Sequence, residues 1–322
     1  MAHASEPPLQ LADLHFRQQL GRGATSTVRL ALASSSPPRH FAVKTVEKAQ
    51  IAGEQALARL YREKELLSSL AHPGVVRLHC TLKDERCLYF VLECLDGGEL
   101  LYHMRRAPRH RVPLASARVC VGALLLPLEY LQEQRVLYRD LKPTNILFTR
   151  EGRLKLVDFG HAKRMAPHER STSLCGTPHF HAPEVVRGEP HGLPAQLWAL
   201  GVLIVEVIAG APPFFARPAA PPLKEQILHA EIDLVCLPEC VRPLAAALLQ
   251  RDCVAREASF PRGFSDVRRD PWLQPLDWRA VEAGTCVPDF DFARHAEERV
   301  ACGMSAPADS VSKDEDPFAD FD

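Results

Sequence analysis

The sequence lacks the features that mark several classes of protein. Its 322 residues carry 39 Lys and Arg against 40 Asp and Glu, so no excess charge indicates nucleic acid or an anionic membrane as a partner. Its ten cysteines are scattered without CxxC pairs, and we expect reduced, mostly buried thiols rather than a disulfide framework. No internal repeat is visible in the sequence, which argues against a repeat architecture.

Long apolar runs are also scarce. The longest, residues 119–131 and 197–210, are too short or too interrupted to span a bilayer, so we expect buried core helices there. No signal peptide is visible, and Ala2 does not fit the myristoylation pattern. We therefore expect a protein of the cytoplasm, with the nucleus as a second location.

The chain divides by its pattern into a strand-rich part and a helix-rich part. We expect a mobile N-terminus over residues 1–13, a mostly β part over 14–93, a mostly helical part over 94–273 and a tail over 274–322. The β part contains one predicted helix near residues 54–71. The predicted fold class is α+β, with a small β-rich lobe and a larger α-helical lobe.

Two short motifs in the β part indicate phosphate binding. GRGATSTV (21–28) joins the first two predicted strands, and glycines there let backbone N–H groups approach phosphate oxygens. An ordinary hairpin is the alternative, and Ser26 stands where a third glycine is usual. FAVK (41–44) puts Lys44 in an apolar strand, where it needs a partner. Glu63 in the following helix is the candidate, and a solvated strand end is the alternative.

The helical part carries residues that phosphoryl transfer needs. YRDLKPTN (138–145) puts Asp140 five residues before Asn145, DFG follows at 158–160, and an APE lies within 174–186. One acid that accepts a hydroxyl proton, with an Asn and an Asp that hold magnesium, is the arrangement of the protein kinase template. Five signals in this order make coincidence a poor explanation.

Together these motifs resemble those of AGC-group serine/threonine protein kinases, and they are most similar to cyclic-AMP-dependent kinase catalytic subunits. The similarity runs from about Leu14 to Phe290 and includes LYFVLECLDGGELLYHMRR, VDFGHAKR, LCGTP and GAPPFF. It implies a bilobal protein kinase fold with ATP between the lobes. It also implies Mg²⁺ as the metal and transfer of the γ-phosphoryl group to Ser or Thr of protein substrates.

The resemblance also implies a role for each matching residue. Lys44 would contact the α- and β-phosphates and pair with Glu63, Asp140 would be the base, and Lys142 would steady the γ-phosphate. Asn145 and Asp158 would bind magnesium. Further nucleotide contacts are implied at Leu20, Gly21, Gly23, Ser26, Val28, Ala42, Glu93, Leu95, Glu99 and Leu147. The gatekeeper position would be Leu92, and the residues that link the lobes would be Leu67, Leu78, Tyr138 and Phe159. For the apolar residues, plain core packing is the alternative.

Regulation and substrate choice are implied in the same way. Ser173 stands where the group carries its activating phosphate, which an upstream kinase would add. Its expected partners are Arg139, Lys163 and Arg59. Rival sites are Ser171 and Thr172, and an unmodified loop is the alternative. A regulatory subunit is left open as a partner.

The substrate-reading positions predict a basic preference. Glu99 and Glu206 match the positions that read basic residues upstream of the target, although Glu99 is also consistent with a solvated surface. Thr144 replaces a third acid, so we expect a weaker or shifted preference. His181 replaces an apolar residue near the pocket for the residue after the target.

Several positions depart from the pattern. Gln196 replaces an Asp that supports the catalytic loop, and Pro127 removes a backbone donor from a predicted helix, where we expect a kink. Glu184 and Arg256 still match a buried ion pair. These departures raise the hypothesis of a pseudokinase that binds ATP or acts as a scaffold. The APE segment disfavours a third class, a metabolic ATP-dependent enzyme.

The terminal FADF (318–321) fits a hydrophobic motif that folds back onto the small lobe. Alternatively, it is the segment that covers ATP in a truncated tail, or an undocked terminus.

Overall fold

The computed structural model describes residues 9–23, 25–34, 39–214, 220–295 and 321. These residues form two compact units. In the described part of the chain, the first unit contains the residues up to Leu70, Val76–Leu95, residues 294–295 and Phe321, and the second contains Ala71–Val75 and Asp96–Ala293.

The first unit is a five-stranded antiparallel sheet with one long helix. The strand order is β1-β2-β3-β5-β4. The bounds are β1 Leu14–Arg22, β2 Ser26–Ala33, β3 Arg39–Glu47, α1 Gly53–Ser69, β4 Leu78–Lys83 and β5 Cys87–Glu93. The predicted strands and helix are confirmed here, although β4 begins at Leu78, three residues into the run VVRLHCTL (75–82) that predicts this strand. The sequence SSSPP (34–38) predicts a turn before β3, and of these residues the structure describes Ser34 alone.

Alternation along β3 separates the two faces of this sheet, because successive side chains of a strand point to opposite sides. Phe41 and Val43 are buried in a core cluster with neighbours from β1, β2 and β5. Ala42 and Lys44 therefore lie on the other face. Register places Val28 opposite Lys44 and Leu92 opposite Ala42, so these side chains share the face of Lys44.

The second unit is mostly helical. Its helices are α2 Leu100–Arg106, α3 Leu114–Glu133, α4 Pro183–Arg187, α5 Leu193–Ala209, α6 Leu223–His229, α7 Arg242–Leu248, α8 Cys253–Ser259, α9 Phe264–Val267 and α10 Trp278–Glu282. Four short strands complete it: β6 Val136–Leu137, β7 Ile146–Phe148, β8 Leu154–Leu156 and β9 Lys163–Arg164. They form the antiparallel pairs β6/β9 and β7/β8, which hold the loops that carry Asp140 and Asp158.

Two apolar helices, α3 and α5, form the core of this unit, as predicted. Thirteen residues of α5 are buried, because it is apolar on nearly all sides. The helix α3 is longer than its predicted run and continues through Pro127. Pro127 packs against Gly74, where a Cβ atom would lie 2.9 Å from its ring.

By length and composition, α3 could cross a membrane, which contradicts the expectation that its apolar run is too short. However, 56% of its most apolar window is buried inside this unit. Length and apolarity are weak evidence for a span, because a buried core helix has the same composition.

The cysteines in the described residues are free thiols, as expected. The expectation that they are mostly buried is wrong. Cys120 is buried, Cys236 and Cys240 are exposed, and the others are partly exposed. Most of them lie on strand edges, loops and short helices at the surface.

Candidate active site

The carboxylate of Asp140 is the centre of the second unit's polar cluster. Its Oδ2 accepts hydrogen bonds from Lys142 Nζ at 2.7 Å and from Asn145 Nδ2 at 2.9 Å. Its Oδ1 accepts from Thr177 Oγ1 at 2.8 Å. Asp140 is 3% exposed, and three donors fix its orientation. An acceptor-only carboxylate held in this way can take a further proton donor, such as a hydroxyl group.

Thr177 is a member of this cluster that the motif analysis did not assign. Its hydroxyl donates to Asp140 and accepts from Lys142 Nζ at 3.1 Å. Thr177 lies 37 residues from Asp140 in sequence, so no local spacing connects the two. The sequence feature that could have identified Thr177 is the motif LCGTP (174–178), which supports the family resemblance without giving Thr177 a role.

Asn145 and Asp158 fit the expected metal site in their chemistry. The Asn145 amide nitrogen donates to both the backbone oxygen and the carboxylate of Asp140. Its amide oxygen is then the atom left to face a cation. The backbone of Val157 donates to Asn145 at 3.0 Å, which brings the residue before Asp158 next to Asn145. An amide oxygen and a carboxylate are ligands that Mg²⁺ accepts, with waters and phosphate oxygens completing its shell.

No group of three or more His, Cys, Asp or Glu side chains suited to a metal occurs in the described residues.

Backbone conformation marks the same loops. Arg139 has φ 67° and Asp158 has φ 53°, in the left-handed region that side chains other than Gly adopt at a cost of order 1–3 kcal/mol. Gln196 of α5 helps to hold the catalytic loop, because its Oε1 accepts from the backbone N–H of Tyr138 at 2.6 Å. The amide therefore makes the kind of bond expected from the replaced Asp, and the main reason for a pseudokinase hypothesis disappears.

In the first unit, Lys44 is paired as predicted. Lys44 Nζ lies 2.6 Å from Glu63 Oε1, and Glu63 is 3% exposed. Lys44 also lies 5.6 Å from the Phe90 ring centroid. The helix α1 supplies Glu63 from the face of the sheet that carries Lys44, which excludes a solvated strand end for Lys44.

The predicted nucleotide residues fall in both units. The sheet places Val28 and Ala42 beside Lys44, and Gly23 N bonds Ser26 O at 2.7 Å to close the β1–β2 hairpin. In the second unit, Glu99 and Leu147 form an isolated β-bridge. The remaining assignments to the nucleotide stay predictions: Leu20, Gly21, Glu93 and Leu95.

The sequence matches the family described as protein kinase domain over residues 14–256. The chain belongs to the protein kinase domain family. It is 35% identical over 283 residues to the cAMP-dependent protein kinase catalytic subunit PRKX of Homo sapiens, which covers 87% of this chain and 77% of the relative. It is also 35% identical to the cAMP-dependent protein kinase catalytic subunit of Schizosaccharomyces pombe, over 87% of this chain and 54% of the relative.

Identity to a cGMP-dependent protein kinase, isozyme 1, of Drosophila melanogaster is 30%, over 95% of this chain and 41% of the relative. The chain therefore spans about half the length of two of these relatives.

Two expected structural pairs of the kinase domain are present in the second unit. Tyr138 and Phe159 pack edge to face, with ring centroids 5.2 Å apart; their role in linking the lobes stays a prediction. Glu184 and Arg256 form a buried ion pair, and Arg256 Nε also donates to the backbone oxygen of Pro194 at 2.8 Å. Arg256 thus ties α8 to α4 and to the start of α5.

Two of the cations expected to bind a phosphate on Ser173 contact other residues in the unmodified segment. Ser173 is exposed. Of its expected partners, Arg139 donates to Ser171 Oγ at 3.0 Å, and Lys163 pairs with Glu169 at 2.6 Å. Ser171 is 1% exposed and forms a β-bridge with His191, which makes it a poor rival site for modification in this conformation.

Glu206 is the predicted substrate-reading residue with a clear electrostatic signature. It lies in the last turn of α5, and its Oε2 is buried without a hydrogen-bond partner among the described residues. Burial raises the pKa of the Glu206 carboxyl to about 7. An unpaired carboxylate of this kind gains a large stabilisation when a cation reaches it.

His181 has a defined tautomer. Its Nε2 lies 3.0 Å from the backbone oxygen of Cys175, and a carbonyl oxygen can only accept, so Nε2 carries the proton. Burial lowers the pKa of the His181 imidazole despite that hydrogen bond, which favours the neutral ring. Thr144, the other substitution at a substrate-reading position, is partly buried beside the catalytic residues.

At the C-terminus, Phe321 packs into the first unit. The other residues of the terminal FADF motif (318–321) lie outside the described residues. Phe321 is fully buried, and its ring lies 5.3 Å from that of Phe90 and 5.8 Å from that of Tyr61. Its backbone oxygen accepts from Lys64 Nζ and from Thr81 Oγ1. At this residue, the arrangement disagrees with an undocked terminus.

Proposed function

We propose that this chain transfers the γ-phosphoryl group of ATP to Ser or Thr hydroxyls of protein substrates. The observation that carries the proposal is the fixed carboxylate of Asp140, surrounded by Lys142, Asn145 and Thr177. The relatives named as cyclic-nucleotide-dependent protein kinases support the same reaction class.

The proposed chemistry follows from these contacts. The acceptor hydroxyl donates to an oxygen of Asp140, which orients the hydroxyl oxygen and takes its proton as the new P–O bond forms. The positive charge of Lys142, 2.7 Å from Asp140, stabilises negative charge next to the base. Thr177 holds the other carboxylate oxygen, so the base cannot rotate away from the acceptor.

The residues of the first unit would hold the nucleotide. Glu63 keeps the Lys44 ammonium extended from β3, where its charge would meet phosphate oxygens. Val28 and Ala42 offer an apolar surface for adenine on the sheet face that carries Lys44.

In the second unit, Asn145 and Asp158 would hold Mg²⁺, which neutralises phosphate charge when bound.

The test is phosphate transfer from Mg-ATP to a basic Ser peptide, with Asp140→Asn beside wild type. We expect the variant to lose about 10²–10⁴-fold in kcat, the range for one general base. Asp289→Asn is the matched control, because it makes the same change at an exposed position of the same unit. Equal rates for Asp140→Asn and wild type, with both proteins folded, would overturn the proposal.

Phosphorylation of Ser173 by an upstream kinase is part of the proposal. The residue is exposed, and Arg139 reaches Ser171 two residues away. A phosphate on Ser173 would compete with Ser171 for Arg139 and with Glu169 for Lys163. Mass spectrometry of active protein that finds residues 171–173 unmodified would remove this part. A regulatory subunit is a further proposed partner, because relatives carry the name catalytic subunit.

A further inference from the structure

An exposed basic segment lies at the end of α2, outside the catalytic cluster. Arg105, Arg106, Arg109, His110 and Arg111 are all exposed. No Asp or Glu occurs between Glu99 and Glu129 in the sequence, so the segment lies in a stretch that carries no acidic residue. Arg105, Arg109 and Arg111 form no ion pair with any residue that the structure describes.

Backbone contacts hold this segment in place against the end of α5. Arg111 Nε donates to the backbone oxygen of Ala209 at 3.1 Å, and Val112 N donates to that of Val207 at 3.0 Å. Gly210, with φ 84°, lies so close to Arg109 that a Cβ atom there would be 2.7 Å from the Arg109 backbone oxygen. The arginines are therefore presented from a fixed backbone.

The segment lies near the two acids proposed to read basic residues. Glu99 precedes α2 directly, and six residues of helix separate it from Arg105 by about 9 Å. Glu206 lies one turn before the end of α5 that contacts the segment. A peptide in extended conformation covers a similar distance, about 10 Å, with three residues.

We propose that the basic segment 105–111 binds an acidic stretch of the protein substrate, about three residues farther from the acceptor than the basic residues. This proposal rests on the proposed function and names its substrate class. The substrate would carry a mixed-charge sequence. Its basic residues would contact Glu206 and Glu99, and its acidic residues would contact Arg105, Arg109 and Arg111. A uniformly anionic surface, such as a membrane or nucleic acid, would bring its charges against Glu99 and Glu206 as well, so it fits less well.

The test is binding of labelled peptides that carry Ala at the acceptor position, followed by fluorescence anisotropy. One peptide has four acidic residues about three positions upstream of its basic pair. A second has the same composition with the acids downstream of the acceptor. We expect the first to bind about three- to tenfold more tightly, since exposed ion pairs are individually weak. The difference should vanish at about 1 M salt, where charges are screened within ~3 Å.

Variants assign the effect to the segment. Arg105→Glu with Arg109→Glu should remove the difference between the two peptides, and the neutral pair Arg105→Gln with Arg109→Gln should reduce it. Arg279→Glu, an exposed arginine at the start of α10, should leave the difference intact. Circular dichroism detects whether the charge-reversed variant has lost its fold. If it has, the neutral double variant shows whether the difference between the two peptides depends on Arg105 and Arg109.

Equal binding of the two peptides would overturn the proposal, as would a difference that survives both double variants. If the two peptides bind equally and phosphatidylserine vesicles bind in a way that depends on Arg105 and Arg109, the proposal is overturned and the ligand of the segment is a membrane surface. The assay needs no turnover, so a protein that discriminates the peptides but transfers no phosphate would overturn the proposed function alone.

Discussion

At the scale of single residues, Thr177 gives the sharpest prediction. Its hydroxyl bridges Asp140 and Lys142, so Thr177→Val should leave one oxygen of the base without its donor. Loss of a hydrogen bond to a charged group corresponds to about 10–100-fold in rate. We expect kcat for a basic Ser peptide to fall by that factor and Thr177→Ser to restore most of it. Similar kcat values for the Val and Ser variants would show that the hydroxyl does not position Asp140.

Glu206 should make peptide binding depend on pH. Its pKa is raised by burial to about 7, so the unbound carboxyl is mostly protonated at pH 6 and mostly charged at pH 8. A basic peptide binds the charged form, so KM should fall as pH rises from 6 to 8. Binding of the cation in turn lowers the pKa of Glu206, which extends the charged range in the complex.

The control for this pH profile is Glu206→Gln, which should raise KM and flatten its pH dependence over the same range. A peptide without basic residues should show the same flat profile with wild type. A steep profile that persists in Glu206→Gln would assign the titration to another group.

Some of these residues were predictable from the sequence, and others were not. Lys44 and Glu63 were predictable as a pair, because a lysine in an apolar strand needs a nearby acid. Thr177 and the Glu169 partner of Lys163 were not, because each contact depends on where a loop returns in space. The raised pKa of Glu206 follows from packing around α5, which residue type alone does not reveal.

At the scale of elements, Phe321, the residue before the last, packs against α1 and β5. Its ring is fully buried between Tyr61 and Phe90, and Phe90 lies under Lys44. Phe321→Ala should lower the free energy of unfolding by up to about 3–5 kcal/mol, the cost of emptying a buried phenylalanine site. Activity should fall with it, because the support of Lys44 loosens.

Urea unfolding of the full chain, with phosphate transfer as a second readout, checks this expectation. Val235→Ala, at a position that is 76% exposed, is the control for losing an apolar side chain. Phe321→Leu should recover part of the stability. If Phe321→Ala matches the Val235 control in both readouts, the anchoring role is wrong.

Helices and strands were predictable to different extents. Alternation in β1, β2 and β3 and the helical spacing of α1 gave their positions to within a few residues, because one face of each is buried. The length of α3 was underestimated, because Ser116 and Arg118 interrupt its apolar pattern while Ser116 is buried. The presence of Pro127 did not predict that the helix continues past it, because packing against Gly74 supports the helix at this position.

At the scale of the whole molecule, the strand and helix patterns of the sequence separated a β-rich part from an α-rich part. The described structure also has two units, but no single boundary in the sequence separates them. Ala71–Val75 belongs to the second unit and Phe321 to the first. Lys64 and Phe321 are 257 residues apart, and no local pattern encodes a contact at that separation. The fold could still be predicted, because the order of the kinase motifs in the chain identifies the family.

A ligand of the native chain should raise the stability of the whole molecule. If Asn145 and Asp158 hold Mg²⁺ beside ATP, Mg-ATP should raise Tm more than ATP with EDTA does. Binding at 100-fold excess over Kd corresponds to about 2.7 kcal/mol. Asp158→Asn should abolish the metal-dependent part of the shift, because it removes the charged ligand, whereas the exposed control Asp289→Asn should keep it. A full Mg-ATP shift in Asp158→Asn would mean that the cation is held elsewhere.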